Sequence, residues 1–234
     1  GYFLPSDLTA EVLMQRGVDP SLVHVTGIPV KLEITKPKSR QEMRSRHDLP
    51  LEQPVVTLFG GGLQTKRVRL IVSKLLESPI AGQLVVVAGR NDALLEKLDD
   101  LTHGTQMKLR KLGMIDYVDD LVVASDLVIT KAGGLITSEV LARGTPMVII
   151  DPFPGQEEWN ADVVSAMGAG IQLRLPGMVP PTVIHLLNHP DQLKFMRQQA
   201  PRIGQPEAAL KIANMILQQL RSSQVAPCEP VEQY

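Results

Sequence analysis

Two short glycine runs have the spacing of phosphate-binding turns, because each separates an apolar strand-like run from a helix-like one. The runs are Gly60, Gly61 and Gly62 after Val55–Phe59, and Gly133 and Gly134 after Leu127–Thr130. Turns without side chains let a phosphate approach the backbone N–H groups that open the next helix. Lys131 stands beside the second run and could neutralise a diphosphate without any metal ion. A bare glycine turn that packs a strand against a helix explains the first run equally well.

Carboxylate and amide side chains follow the second glycine run. Glu139 lies about one helical turn beyond it, where a carboxylate can accept two hydrogen bonds from the vicinal hydroxyls of a ribose. After the next apolar run, a loop stiffened by two prolines opens into a cluster that suits sugar hydroxyls: Gln156, Glu157 and Asn160. Structural alternatives stay open, because carboxylates favour helix N-termini and Asn160 could simply face solvent. We assign Trp159, in the same segment, to the core.

Two further strand ends offer groups to a ligand in the same cleft. The backbone of Val118 could frame a planar base, with Asp119 capping the short helix that follows. Arg90 follows the second strand-like run of this region and supplies a cation near the expected cleft. Its neighbours Asn91 and Asp92 suit a helix cap, which accounts for part of this segment without any ligand.

These groups must be positioned by the elements that carry them, and the chain alternates strands with helices. The strand candidates are 55–59, 84–88, 108–115, 127–130, 147–150 and, with a weaker pattern, 171–173. Apolar residues at helical spacing occupy 64–76 and 206–221. This alternation predicts an α/β fold, a Rossmann-like doubly wound parallel sheet covered by helices on both faces. Ligands of such sheets bind outside the carboxyl ends of the strands, where the groups above are found.

The sequence divides into four parts: a strand–helix–strand unit (1–30), a linker (31–54), a main domain (55–221) and a tail (222–234). Ser6 or Asp7 caps the first helix, and Gly17 ends it. The linker is basic and leads into a short helix. An anionic membrane surface or a plain solvated face would explain its cations, and we favour the solvated face. These cations are Lys31, Lys36, Lys38, Arg40, Arg44 and Arg46.

Composition narrows the class of protein. With 234 residues, 44% hydrophobic and 21% charged, the chain is long and apolar enough for a buried core. Lys plus Arg (24) nearly equals Asp plus Glu (25), so we expect no nucleic-acid partner. The single cysteine, Cys228, leaves no internal disulfide or cysteine metal site and favours a reducing, cytosolic compartment. No apolar run approaches the ~20 residues of a membrane span, and the first residues lack a signal-peptide pattern.

The second glycine run and the polar cluster together resemble the donor-binding half of glycosyltransferase family 28, whose members have the GT-B fold. The shared motifs are Thr130-Lys131-Ala132-Gly133-Gly134, Ser138-Glu139, Gly144-Thr145-Pro146 and Pro154-Gly155-Gln156-Glu157 with Asn160. The likeness runs from about Tyr2 to Leu220 and is greatest to monogalactosyldiacylglycerol synthases and bacterial diacylglycerol glucosyltransferases. It implies an inverting, metal-independent transfer of a hexose from a UDP-sugar to a lipid acceptor. It also implies no cofactor besides the donor, and peripheral contact with the cytoplasmic face of a membrane.

The resemblance assigns roles to individual residues. It places the diphosphate of a UDP-sugar against both glycine runs and the ribose at Glu139. It places the uracil at Tyr117 and Val118, and the hexose hydroxyls at Gln156 and Glu157. These roles are expectations about the donor site alone.

Family members also carry an N-terminal domain with the acceptor site and the catalytic base, and residues 1–30 resemble its last strand–helix–strand. We therefore expect the base outside this chain and interpret the five histidines as structural or solvated. A UDP-N-acetylglucosamine 2-epimerase is one rival, against which the Gly-Gln-Glu stretch argues. A dinucleotide oxidoreductase is another, against which Gly89-Arg90 argues, because an acidic residue is expected there. A non-catalytic UDP-sugar sensor stays open.

Overall fold

The apolar runs form the strands of a parallel sheet in a computed structural model that describes residues 1–101 and 106–224. The strands are β1 (Tyr2–Leu4), β2 (Val23–Val25), β3 (Val55–Phe59), β4 (Gly82–Val87), β5 (Met107–Leu112), β6 (Leu127–Thr130), β7 (Met147–Ile150) and β8 (Gly170–Leu173). The helices are α1 (Asp7–Gln15), α2 (Arg40–Arg46), α3 (Thr65–Leu76), α4 (Asp92–Lys97), α5 (Val118–Ala124), α6 (Gly134–Ala142), α7 (Gln156–Ala166), α8 (Val179–Asn188), α9 (Pro190–Ile203) and α10 (Ala208–Gln224).

Six of these strands make one parallel sheet in the order β5-β4-β3-β6-β7-β8. From β3 the chain moves outward through β4 to β5, and from β6 it moves outward the other way through β7 to β8. The order therefore reverses between β3 and β6, which is the arrangement of a doubly wound sheet. The predicted fold class is confirmed, and β3, β6 and β7 have the predicted bounds.

The sheet is buried on both faces, which explains why its strands are continuous apolar runs. Successive side chains of a strand point to opposite faces. Val56 and Leu58 pack in the cluster that contains the apolar stripe of α3, whereas Val55 packs with Met43 of α2 and Leu121 of α5. An unbroken run of β-branched and aliphatic residues is thus required at β3, because both faces are covered.

Residues 1–30 fold as the predicted strand–helix–strand unit. β1 pairs in parallel with β2, and α1 connects them. The hydroxyl of Ser6 accepts a hydrogen bond from Thr9 N at 3.3 Å, so Ser6 is the predicted helix cap. The assignment of this unit to a larger N-terminal domain remains a prediction.

The basic segment 31–54 packs against the domain through charged side chains. Arg44 is 4% exposed, and its Nη2 lies 2.6 Å from Asp126 Oδ2. Lys38 Nζ lies 2.8 Å from Asp119 Oδ2 and also pairs with Asp120. The interpretation of these cations as a solvated face is therefore wrong for Lys38 and Arg44, because their partners lie on and just after α5.

Three further expectations need correction or fall outside the description. Trp159 is 43% exposed, so its assignment to the core is wrong. α10 continues to Gln224, three residues into the predicted tail, and the remaining tail with Cys228 lies outside the described residues. His103 also lies outside them.

None of the helices in the described ranges combines the length and apolar composition that a membrane span requires.

Candidate functional site

The loops after β3 and β6 meet at the point where the strand order reverses. A Cβ atom on Gly62 would lie 2.9 Å from Cε of Lys131, so the two loops are in contact here and a side chain at position 62 would displace the end of Lys131. A Cβ atom on Gly61 would lie 2.6 Å from the carbonyl oxygen of Ala88, at the end of β4. The first glycine run is therefore needed for close packing, and it also lies directly beside the second run.

The helices that open from these two turns have no side-chain cap. Gln64 is the N-cap of α3 and Gly133 is the N-cap of α6, and neither makes a side-chain hydrogen bond to the helix. By contrast, Asn91 caps α4 by accepting from Leu94 N at 3.1 Å, as predicted. Uncapped N-termini leave N–H groups and the positive end of the helix dipole available to an anion.

Lys131 and Glu157 form an ion pair at this point. Lys131 Nζ lies 2.9 Å from Glu157 Oε1, with side chains 35% and 15% exposed. The other oxygen of Glu157 accepts a hydrogen bond from Phe153 N at 2.8 Å, which holds the loop after β7. Glu157 therefore orders the loop and the lysine, while each oxygen keeps a lone pair for a hydroxyl.

The other polar residues at the start of α7 also face the second glycine run. A Cβ atom on Gly134 would lie 3.3 Å from Nε2 of Gln156, so this amide stands at the N-terminus of α6. Asn160 Nδ2 donates to the carbonyl oxygen of Ala132 at 2.9 Å. The alternative that Asn160 simply faces solvent is therefore wrong, because its amide ties α7 to the glycine turn.

Val118 and Glu139 share a cavity of about 130 Å³ beside α6. Burial and the charge of Asp119 raise the pKa of Glu139, and Lys31 partly offsets this rise. Lys31 lines the same cavity, although the sequence pattern placed it in the linker. Its position directly after Gly27-Ile28-Pro29-Val30 gave no sign that it faces a residue more than a hundred positions away.

The remaining predicted residues have other contacts. The ring of Tyr117 stacks on His47 with centroids 4.4 Å apart. Asp119 does not cap α5, whose N-cap is Tyr117; its carboxylate instead pairs with Arg143 Nη2 at 2.6 Å. Arg90 is exposed, and no contact with another described residue ties it to the site. The structure thus brings Val118 and Glu139 together in one cavity, and it brings Lys131, Gln156, Glu157 and Asn160 together around the second glycine run. Among the described residues, Tyr117 and Arg90 are tied to neither group.

A pair that the sequence did not indicate links the turn after β3 to the end of β7. Arg67, in the first turn of α3, forms an ion pair with Oδ1 of Asp151. The backbone of Asp151 has φ of 45°, a left-handed value that non-glycine residues rarely adopt. Its Oδ2 atom is buried and has no hydrogen-bond partner among the described residues. The position of Asp151, an acidic residue immediately after an apolar strand, was a feature of the sequence that could have marked it as a candidate for this ion pair.

No three His, Cys, Asp or Glu side chains lie close enough to share a metal ion within residues 1–101 and 106–224. Metal-independent binding remains a prediction about the ligand complex. The positive groups in the described cleft are Lys131 and the N-termini of α3 and α6.

Several known proteins share this fold. A structure of Acinetobacter baumannii MurG has a TM-score of 0.65 and 22% identity, covering 86% of this chain and 58% of that one. A putative UDP-N-acetylglucosamine 2-epimerase from Listeria monocytogenes has a TM-score of 0.73 and 19% identity, covering 94% and 59%. Anabaena Alr3699/HepE, solved in complex with UDP-glucose, has a TM-score of 0.60 and 17% identity, covering 94% and 63%. At these identities the likeness shows the GT-B fold alone.

Curated relatives share sequence as well. A processive diacylglycerol beta-glucosyltransferase from Bacillus pumilus is 30% identical over 220 residues, or 93% of this chain and 57% of that protein. Chloroplastic monogalactosyldiacylglycerol synthase 3 from Arabidopsis thaliana is 31% identical, over 92% of this chain and 48% of that protein. The chain spans about half the length of the curated relatives it matches. Since residues 55–213 match the model of the glycosyltransferase family 28 C-terminal domain, the chain belongs to glycosyltransferase family 28.

Proposed function

We propose that this chain binds a UDP-hexose and serves as the donor half of an inverting, metal-independent glycosyltransferase with a lipid acceptor such as diacylglycerol. One observation carries the proposal: two uncapped helix N-termini and Lys131 meet where the strand order reverses. This arrangement favours a diphosphate, because the helix dipoles and the ammonium group all stabilise negative charge.

The groups around this point fit the rest of a UDP-sugar. The cavity between Val118 and Glu139 lies on one side of α6 and would hold the nucleoside, with the carboxylate on the ribose. Gln156 and Glu157 lie at the N-terminus of the same helix and would hold the hexose. The relatives, a diacylglycerol glucosyltransferase and a monogalactosyldiacylglycerol synthase, support a hexose donor and a lipid acceptor. The Anabaena complex supports UDP-glucose as a ligand of this fold.

The charges of the proposed donor site suit the following transfer reaction. A base outside this chain takes the proton of the acceptor hydroxyl, and the oxygen forms a bond to the anomeric carbon from the face opposite the diphosphate. The bond between that carbon and the UDP oxygen breaks, with inversion at the carbon. Negative charge grows on the departing diphosphate, where Lys131 and the N-termini of α3 and α6 stabilise it.

Calorimetric titration tests the donor assignment. We expect UDP, UDP-glucose and UDP-galactose to bind this chain, and NADP to give no heat of binding. Because the positive potential comes from the protein, EDTA should leave UDP binding unchanged. NADP binding without a UDP response would contradict the proposal, and so would UDP binding that is lost in EDTA and restored by magnesium.

An epimerase remains the second candidate, because the Listeria neighbour has a TM-score of 0.73. Incubation with UDP-N-acetylglucosamine separates the two functions. An epimerase changes the configuration at C2 of the sugar without any acceptor, which NMR of the reaction mixture detects. The glycosyltransferase proposal predicts no such change.

A further inference from the structure

A second cleft lies at the carboxyl ends of β7 and β8, with a volume of about 560 Å³. Asp151 borders it after β7, and Gln172 and Arg174 border it from β8 and the loop beyond. Glu158, Trp159 and Asp162 of α7 form its other wall. Their spacing puts them on one face of α7, whereas Gln156, Glu157 and Asn160 lie toward the opposite face. The cleft thus opens on a different face of α7 from the proposed donor site. The two sites are neighbours, since Trp159 also borders a cavity that Gly134 and Asn160 line, and Asp151 pairs with Arg67.

The polar groups of this cleft have unused hydrogen-bonding capacity. Asp151 Oδ2 is buried without a partner among the described residues, which is unfavourable unless a ligand or water supplies a donor. The side chains of Asp162, Gln172 and Arg174 make no hydrogen bond or ion pair with another described residue. Carboxylate, amide and guanidinium groups together accept from and donate to hydroxyl groups.

An exposed aromatic side chain stands beside these polar groups. Trp159 is the only tryptophan of the chain, and 43% of it is exposed. Tryptophan offers a flat apolar face with a polar N–H at its edge, and binding clefts use such side chains to orient ligands. A ligand with both an apolar face and several hydroxyls would satisfy the tryptophan and the polar groups together.

The charge and polarity of the cleft select among ligands. Three carboxylates, Asp151, Glu158 and Asp162, face it, against Arg174 and the partner of Asp151, Arg67. This balance disfavours a phosphate, and the polar wall disfavours an acyl chain. We propose that the cleft is a second sugar subsite, which takes a neutral hexopyranosyl group. Its identification as the sugar of an acceptor that already carries one hexose rests on the proposed function.

The fluorescence of Trp159 can report the binding of a sugar in this cleft. It is recorded while methyl β-D-glucopyranoside or methyl β-D-galactopyranoside is added, with mannitol as an acyclic control that has hydroxyls but no ring face. We expect a saturable change with a midpoint in the millimolar range for at least one glycoside, and none for mannitol. Absence of a saturable change with both glycosides overturns the proposal.

Substitutions test whether the glycoside binds in this second cleft. Asp162→Asn and Gln172→Leu should each raise the midpoint about threefold or more, because the first removes the charge that strengthens a hydrogen bond to the sugar and the second removes a hydrogen bond. Glu96→Gln, on the exposed surface of α4, is the matched control and should leave the midpoint unchanged. Gln156→Leu should also leave it unchanged. A midpoint that responds to Gln156→Leu and not to Asp162→Asn overturns the proposal, because the glycoside then occupies the donor site.

A UDP titration of the same samples keeps the two proposals distinguishable. UDP binding without glycoside binding overturns the second subsite and leaves the proposed function intact. Glycoside binding that depends on Asp162, without UDP binding, supports the subsite while the proposed function fails.

Discussion

At the scale of single residues, the ion pair between Lys131 and Glu157 sets the charge available to a diphosphate. The carboxylate lies 2.9 Å from the ammonium group and therefore competes with any phosphate for it. Glu157→Gln should tighten UDP binding by roughly 1 kcal/mol, the scale of a partly exposed ion pair. UDP-glucose should gain less than UDP, because the variant also removes an acceptor for the hexose hydroxyls.

Calorimetry of UDP, UDP-glucose and uridine with this variant measures both effects. Glu158→Gln is the matched control, since that carboxylate accepts from Gly155 N at 3.1 Å and does not contact Lys131. Uridine, which lacks phosphate, should bind equally to the parent chain, Glu157→Gln and Glu158→Gln. Weaker UDP binding by Glu157→Gln would contradict the assigned competition.

Glu139 has a different role, which depends on its charge. In the proposed complex, ribose hydroxyls donate to the charged carboxylate, so binding would favour the deprotonated form. Because burial and the charge of Asp119 raise the pKa of Glu139, UDP affinity should begin to fall above the ordinary range of glutamate as the pH is lowered. At neutral pH, Glu139→Ala should weaken UDP by roughly 1.5 to 3 kcal/mol.

The comparison ligand for Glu139 is free pyrophosphate, which has no ribose. Its affinity should be the same for the parent chain and Glu139→Ala at each pH. The difference in UDP affinity between the two proteins should shrink on acidification, because the parent then loses its carboxylate. An equal loss of UDP and pyrophosphate would show that Glu139 acts on the diphosphate.

At the scale of elements, strands whose two faces are buried were predictable, and long-range charge contacts were not. The run Val55–Phe59 is apolar apart from the buried Thr57 because helices cover both its faces, so its bounds follow from composition. β8 is half-buried at the edge of the sheet, and its pattern was accordingly weak. Lys38 and Asp120 are 82 positions apart, so no local pattern joins them.

The contrast between local and long-range contacts also explains which parts of the candidate site could be predicted from the sequence. Gly133, Gly134 and Glu139 lie on one turn and one helix, so their proximity follows from local geometry. Lys31 reaches the cavity from another segment of the chain, and nothing local predicts that. Trp159 was misplaced because the mixed sequence of α7 does not indicate which of its faces is covered.

Asp120 of α5 is one of the carboxylates that hold α2 and the residues on either side of it. Burial alone would raise the pKa of Asp120, but hydrogen bonds and charge from Lys38, His47 and Arg46 outweigh this and lower the pKa to about 2. A carboxyl whose pKa is lower in the folded chain stabilises it above the unfolded pKa, and this contribution is lost as the pH falls through the folded pKa. Asp120→Asn should therefore lower the free energy of unfolding by roughly 2 kcal/mol at neutral pH.

Urea unfolding of the parent chain and Asp120→Asn checks this prediction. The difference between them should decrease as the pH falls from about 4 toward the folded pKa. Glu77→Gln is the control, because its pair with Lys74 has side chains 61% and 55% exposed and is screened by solvent. A difference between parent and Asp120→Asn that stays constant across this pH range would show that the loss comes from packing.

At the scale of the whole molecule, the described cleft supplies positive charge for a leaving group, whereas Glu157, Glu139 and His47 are each engaged elsewhere. Glu157 is held by Lys131 and by Phe153 N. Glu139 lines the cavity that we assign to the nucleoside. His47 stacks on Tyr117 and lies 2.9 Å from Asp120, so it is structural. A general base must stand within hydrogen-bond reach of the attacking hydroxyl, on the acceptor side of the anomeric carbon.

We therefore predict that this chain alone binds the donor and transfers no sugar, and that transfer requires an acceptor-binding N-terminal half such as that of the Bacillus pumilus relative. A second half would bring the base to the acceptor hydroxyl, and closing the cleft would exclude the water that otherwise hydrolyses the donor. Radiolabelled UDP-glucose and UDP-galactose, incubated with diacylglycerol micelles, provide the assay for the chain alone and for a fusion to that half. UDP binding measured on both samples confirms that the donor site is intact in each. Glycolipid formed by the chain alone would mean that the base lies within it, and it would reopen the assignment of Glu139 and Glu157 to holding the donor.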